Sequence, residues 1–166
     1  MAAFTGITLP SKYIGPLSAE QSRQSGFTHS ATIPYTVLNT ITGGTTGDTI
    51  DVAIGTTPAN FLIDRALIQV TTAFTTASTG TLTAGFGISS SVAVYVAAQN
   101  MLTAGPKAAT AGAVPAGSTS TTGAAAVTLT TRFTTGTAGV LTDIASGSVT
   151  IYWRMIDLNT IDNSNG

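Results

Sequence analysis

From residue 31 onward, apolar residues alternate with hydroxyl-bearing ones, the period-two pattern of strands that bury one face. Ile50, Val52 and Ile54 share a face of residues 48–55, and Leu82, Ala84, Phe86 and Ile88 share a face of 81–89. Residues 60–74 set Leu62, Ala66, Ile68, Val70 and Phe74 on one side, in a run long enough to require a bend or bulge. The segment "SVTIYWRMIDL" (148–158) puts Val149, Ile151, Trp153 and Met155 on its core face. Two further strands are "ATIPYTVLNTI" (31–41), which Pro34 places at an edge or a strand start, and "AAAVTLTTRF" (124–133).

Residues 91–102 read as either a strand or a short helix, because "YVAAQNML" has good helical propensity and stops at Gly105-Pro106. Between these runs lie turns at 42–48 and 75–80, a low-complexity loop at 103–123 and a Gly/Thr-rich excursion at 134–147. About seven or eight strands at this spacing predict an all-β chain. The fold expected is a jelly-roll-like antiparallel β-sandwich with an extended N-terminal arm and at most one short helix. A parallel α/β sheet would need several amphipathic helices, and the pattern contains none.

The organisation predicted is an arm over 1–30, a sandwich domain over 31–158 and a polar tail over 159–166 that frays. Pro10 and Pro16 break up the arm, and Ser18 with Glu20 behind it is the N-cap of a short helical turn. A free tail is normally poor in large apolar residues, yet this one carries Phe4, Ile7, Leu9, Tyr13 and Ile14. These five are the candidate docking residues of the arm. The alternative is an arm that packs back on its own domain.

Composition narrows the function. Only 8% of the 166 residues are charged, against about 25% in an average domain, and the net charge is −1. Lys12, Arg23, Arg65, Lys107, Arg132 and Arg154 are scattered, so no basic stripe exists for direct nucleic-acid binding. No run approaches a membrane span, the N-terminus is not a secretory signal, and cysteine is absent.

Candidate chemistry is thin. His29 is the single histidine and has no nucleophile elbow to serve, so it reads as a surface or interface residue. Asp48 and Asp51 fall on opposite faces of a strand and fit a solvated turn better than a calcium site. Asp64 and Arg65 point apart, each a candidate for a cross-strand pair. "GFGISS" (85–90) and "AGPKAAT" (104–110) lack the context of phosphate loops. No catalytic residue, cofactor site or metal site is predicted. A carbohydrate-binding module would need exposed aromatic rings, and the only Trp, Trp153, falls on the core face.

The stretches "DRALIQVTTAFTTASTGTLTAGFG" (64–87), "YVAAQNMLTAG" (95–105) and "ASGSVTIYWRMID" (145–157) resemble small structural proteins of tailed double-stranded DNA bacteriophages. Within that group, the size and expected sandwich are similar to capsid decoration, or cement, proteins. The resemblance implies a non-enzymatic virion protein on the outer surface of the capsid. It would bind the major capsid protein between capsomers, associate with itself as a homodimer or homotrimer, and stabilise the shell against DNA pressure. The alternative in the same group is a fibre or tail-associated protein that recognises a host surface glycan. The outward residues Tyr152, Arg154 and Ile156 then become the candidate subunit interface, since Tyr and Arg are enriched where subunits meet. The arm becomes the candidate capsid-binding segment, expected to order on binding.

Overall fold

The computed structural model describes residues 3–40, 47–77, 80–111, 125–136 and 140–157. The strands are β1 (Ala3–Thr8), β2 (Ile14–Pro16), β3 (His29–Pro34), β4 (Thr49–Thr56), β5 (Phe61–Thr76), β6 (Leu82–Ile88), β7 (Ser91–Asn100), β8 (Gly105–Ala111), β9 (Thr128–Thr135) and β10 (Ile144–Asp157). The helices are α1 (Ala19–Ser25) and the single turn α2 (Tyr35–Leu38), with short 3-10 turns at Ser11–Tyr13 and Leu141–Asp143. A front sheet of order β2-β3-β10-β5-β8 packs on a back sheet of order β1-β4-β9-β6-β7.

From β3 to β10 each strand crosses to the opposite sheet, except for the β6–β7 hairpin. That order, four strands per sheet, is the double Greek key of a jelly roll. All its pairings are antiparallel. Alternation explains the core: Ile50, Val52, Ile54, Leu82, Ala84, Phe86, Val149, Ile151 and Trp153 are all buried, as their positions predict. Phe86 meets Trp153 across the sheets at 6.0 Å between centroids, and Phe74 meets Phe133 at 6.1 Å. On the outer side of the front sheet, hydroxyls pair strand to strand: Thr32 with Thr150 at 3.0 Å, Thr71 with Ser148 at 2.6 Å, Thr75 with Ser146 at 2.8 Å. The many threonines therefore act as cross-strand couplers.

The bulge expected in the long strand lies at Asp64. Arg154 pairs with Arg65 but Met155 pairs with Ile63, so Asp64 is the extra residue. The slip exchanges the two faces beyond it. Ile63 is buried and Leu62 faces outward, a correction to the even-numbered face predicted through Leu62. A second slip, near Thr71, accompanies Gly147, whose φ of +124° and close approach to Phe74 leave no room for a side chain.

Three other expectations change. The strand over 31–41 stops at Pro34, and the next turn becomes α2, which buries Val37 and Leu38. "YVAAQNML" belongs to β7, because pairing with β6 outweighs helical propensity. The loop predicted over 103–123 contains β8, an edge strand on β5; its remainder at 112–123 and the tail at 159–166 lie outside the described residues.

The N-terminal segment lies on its own sandwich. β1 extends the back sheet in parallel with β4, and β2 extends the front sheet against β3. Both sheets would otherwise present open edges there, with unpaired backbone groups. Leu9 is buried, and its amide donates to the Ala53 carbonyl at 2.8 Å. Ile7, Tyr13 and Ile14 are half-buried against the core, and Phe4 pairs in register with Ile50. The alternative weighed for the arm is the arrangement seen.

Candidate interaction face

Between β2 and β3 the chain folds over the outer face of the front sheet, and α1 is the lid of that fold. Ser18 caps α1 as predicted, accepting from the Gln21 amide at 3.2 Å while Gln21 Oε1 accepts from the Ser18 amide at 3.1 Å. Gly26 closes the helix in the left-handed conformation, φ 74°. Phe27 then turns under the helix, and its ring meets Tyr152 at 5.8 Å, tilted 40°. Tyr152 is thus half-buried by its own chain.

Its neighbours on the same face remain open. Arg154 is exposed, and so is Arg65, directly opposite it across the strands. Ile156 is half-buried and pairs with Leu62, also half-buried. Asp64 serves this cationic spot, its Oδ2 3.7 Å from Arg154 Nε. The other oxygen, Oδ1, is buried with no hydrogen-bond partner among the described residues. A methyl group at Gly26 would come 3.1 Å from Arg65 Nη1, so the second guanidinium rests at the C-terminal end of α1. The structure therefore groups Arg154 and Ile156 with Arg65 and Leu62, and turns Tyr152 toward α1.

An open groove of about 360 Å³ runs between α1 and the sheet, lined by Leu17, Gln21, Gln24, Ser25, Phe27, Leu67, Gln69 and Tyr152. None of these except Tyr152 was expected from sequence. A signal was present: Leu67 and Gln69 occupy outward positions on β5, opposite Tyr152 and Thr150. Gln21 and Gln24 are three apart on α1 and so share a face.

The remaining candidates have structural roles. His29 is half-buried and stacks on Trp153 at 5.6 Å and 16°, with Thr28 Oγ1 2.8 Å from its Nδ1. Burial lowers its pKa below the ordinary 6.5. A surface or interface histidine was expected, and the register of β3 against β10 sets its half-buried ring on Trp153. Asp51 accepts two bonds from Arg132 across β4 and β9, Nε to Oδ1 at 2.6 Å and Nη2 to Oδ2 at 2.7 Å. The Asp51 hydrogen bond raises the Arg132 pKa further. Asp48 is buried rather than solvated, and its carbonyl accepts from the Thr135 amide at 3.0 Å. Among the described residues no cluster of three metal-binding side chains occurs, and no helix is long and apolar enough to cross a membrane.

No protein-family model matches the sequence, and no curated protein matches it. Among solved structures, the chain is similar to one in the cyanophage Pam1 capsid asymmetric unit, at 20% identity and a TM-score of 0.44, over 75% of this chain and 81% of that one. It is also similar to a chain in the capsid of Ralstonia phage GP4, at 17% identity and a TM-score of 0.41, over 79% and 84%. Likeness at that level fixes neither family nor role.

Proposed function

We propose that the chain is a non-enzymatic structural protein of a phage virion. Its role is that of a capsid decoration protein, attached to the outer surface of the head between capsomers and stabilising the shell. The observation that carries this reading is the outward patch of Arg65, Arg154, Leu62 and Ile156, which continues the threonine- and serine-paired part of the front sheet. Asp64 approaches Arg154 only loosely, at 3.7 Å, and both Arg154 and Arg65 are exposed, so an acidic side chain of a partner would add charge-assisted bonds here. The flanking isoleucine and leucine supply apolar area next to that charge. The sequence resemblance to phage cement proteins points the same way.

The partners are the major capsid protein and further copies of this chain, with no direct contact to nucleic acid or membrane. Weak contacts repeated around a symmetric shell gain avidity from one another, so no single tight site is needed. The N-terminal segment takes part as a folded edge rather than as a free arm.

The test is co-sedimentation of the full chain with empty expanded capsids, beside light-scattering mass measurements in solution. The wild type is expected to pellet with shells, and an Arg154→Ser/Ile156→Ser variant to remain in the supernatant while keeping its fold. Wild-type protein that never pellets, or a variant that pellets equally, removes the patch from the contact.

A further inference from the structure

We propose that the groove between α1 and the front sheet is a binding site for a neutral saccharide. Every polar group lining it is an uncharged amide or hydroxyl, and no carboxylate or guanidinium is among them. The glutamine amides are only partly satisfied. Gln21 uses its Oε1 on the helix cap, leaving Nε2 to donate, and Gln24 uses its Nε2 on Glu20, leaving Oε1 to accept. The amide of Gln69 and the hydroxyl of Tyr152 have no hydrogen-bond partner among the described residues.

Adjacent sugar hydroxyls each donate and accept, and this mixed set of free donors and acceptors matches them. The half-exposed Tyr152 ring, with Leu17 and Leu67, forms an apolar wall for the C–H face of a pyranose, and the buried Phe27 ring backs it at 5.8 Å. A volume of about 360 Å³ sits at the small end of the usual range for small-molecule sites, room for a mono- or disaccharide. An acidic sugar would bury its charge here with nothing to pair it. The groove lies on the same face as the proposed capsid contact but shares no residue with it, so the two readings stand or fall separately.

The experiment is a printed array of neutral hexose, N-acetylhexosamine and deoxyhexose saccharides beside sialylated and sulfated ones, probed with the full-length protein. Hits are followed by saturation-transfer NMR with the free saccharide. Selective binding of neutral saccharides is expected, weakened about tenfold or more by Gln69→Ala and by Gln24→Ala. Both variants should retain the wild-type circular dichroism spectrum and melting curve. Silence across the neutral panel, preference for acidic glycans, or binding unchanged in both variants would each overturn the proposal. So would loss of capsid attachment in these variants without any saccharide binding, which would make the groove a protein contact.

Discussion

Among the described residues, the arginine–aspartate pairs of the back and front sheets differ in kind. On the back sheet, Arg132 grips Asp51 with two short bonds, and both side chains are less than half exposed. On the front sheet, Arg154 touches Asp64 through a single 3.7 Å approach, and Arg65 stands opposite Arg154 with its guanidinium beside Gly26. The first arrangement satisfies its own charges and has little left to offer a partner. The second leaves donors free at the surface. An arginine's function is thus read from what its guanidinium still lacks, not from its presence on a strand.

Both pairs depend on strand register, so the largest effect comes from breaking it. Gly147→Ala would set a methyl 2.5 Å from Phe74 and force φ +124° on a side-chain-bearing residue. Urea denaturation should show a loss of about 3 kcal/mol or more, or no folded protein. Wild-type stability there would mean the β5–β10 register is not held by this approach.

The pairs themselves come next. Asp51→Ala strands a half-buried guanidinium and is expected to cost about 1–3 kcal/mol, whereas Asp64→Ala should cost under about 1 kcal/mol. Equal losses in the same denaturation assay would erase the distinction. Acid probes the core behind the front pair. Because burial lowers the folded pKa of His29, the unfolded chain binds the proton first. Stability is complete above pH ~6.5 and falls as pH drops through that value toward the folded pKa. A His29→Gln variant should flatten this part of the stability–pH profile, and an unchanged slope would assign it to other groups.

The smallest effect on stability, and the sharpest on function, belongs to Arg154. Arg154→Ser should alter the unfolding free energy by no more than about 0.5 kcal/mol while reducing attachment to shells. A large stability loss would show that the loose pair is structural after all.

Much of the fold could be read in advance because its signals are local. The faces of β4, β6 and β10 follow from alternation, and the start of α1 follows from Ser18 and the residues behind it. Where reading failed, a distant partner decided. β7 is a strand because β6 lies beside it, although its alanines favour helix. Leu62 and Ile63 exchange faces because the pairing of β5 with β10 leaves Asp64 over, and no pattern within β5 marks the slip. The candidate face divides in the same way. Alternation alone shows that Tyr152, Arg154 and Ile156 point away from the core. That Tyr152 meets Phe27 depends on how residues 17–28 fold over the sheet, and that Arg154 faces Arg65 depends on the register of β5 against β10.

By itself, then, the sequence determined the inward faces of β4, β6 and β10, where the capped helix α1 begins, and that the chain is built from strands. These are properties of a few consecutive residues, set by side-chain period and capping chemistry. Only the tertiary structure decided which strands pair, where the bulge falls, that the N-terminal segment closes both sheet edges, and which outward side chains remain free. Those outcomes depend on contacts between residues far apart in the chain, where closing the sandwich selects one register among many that the local pattern allows.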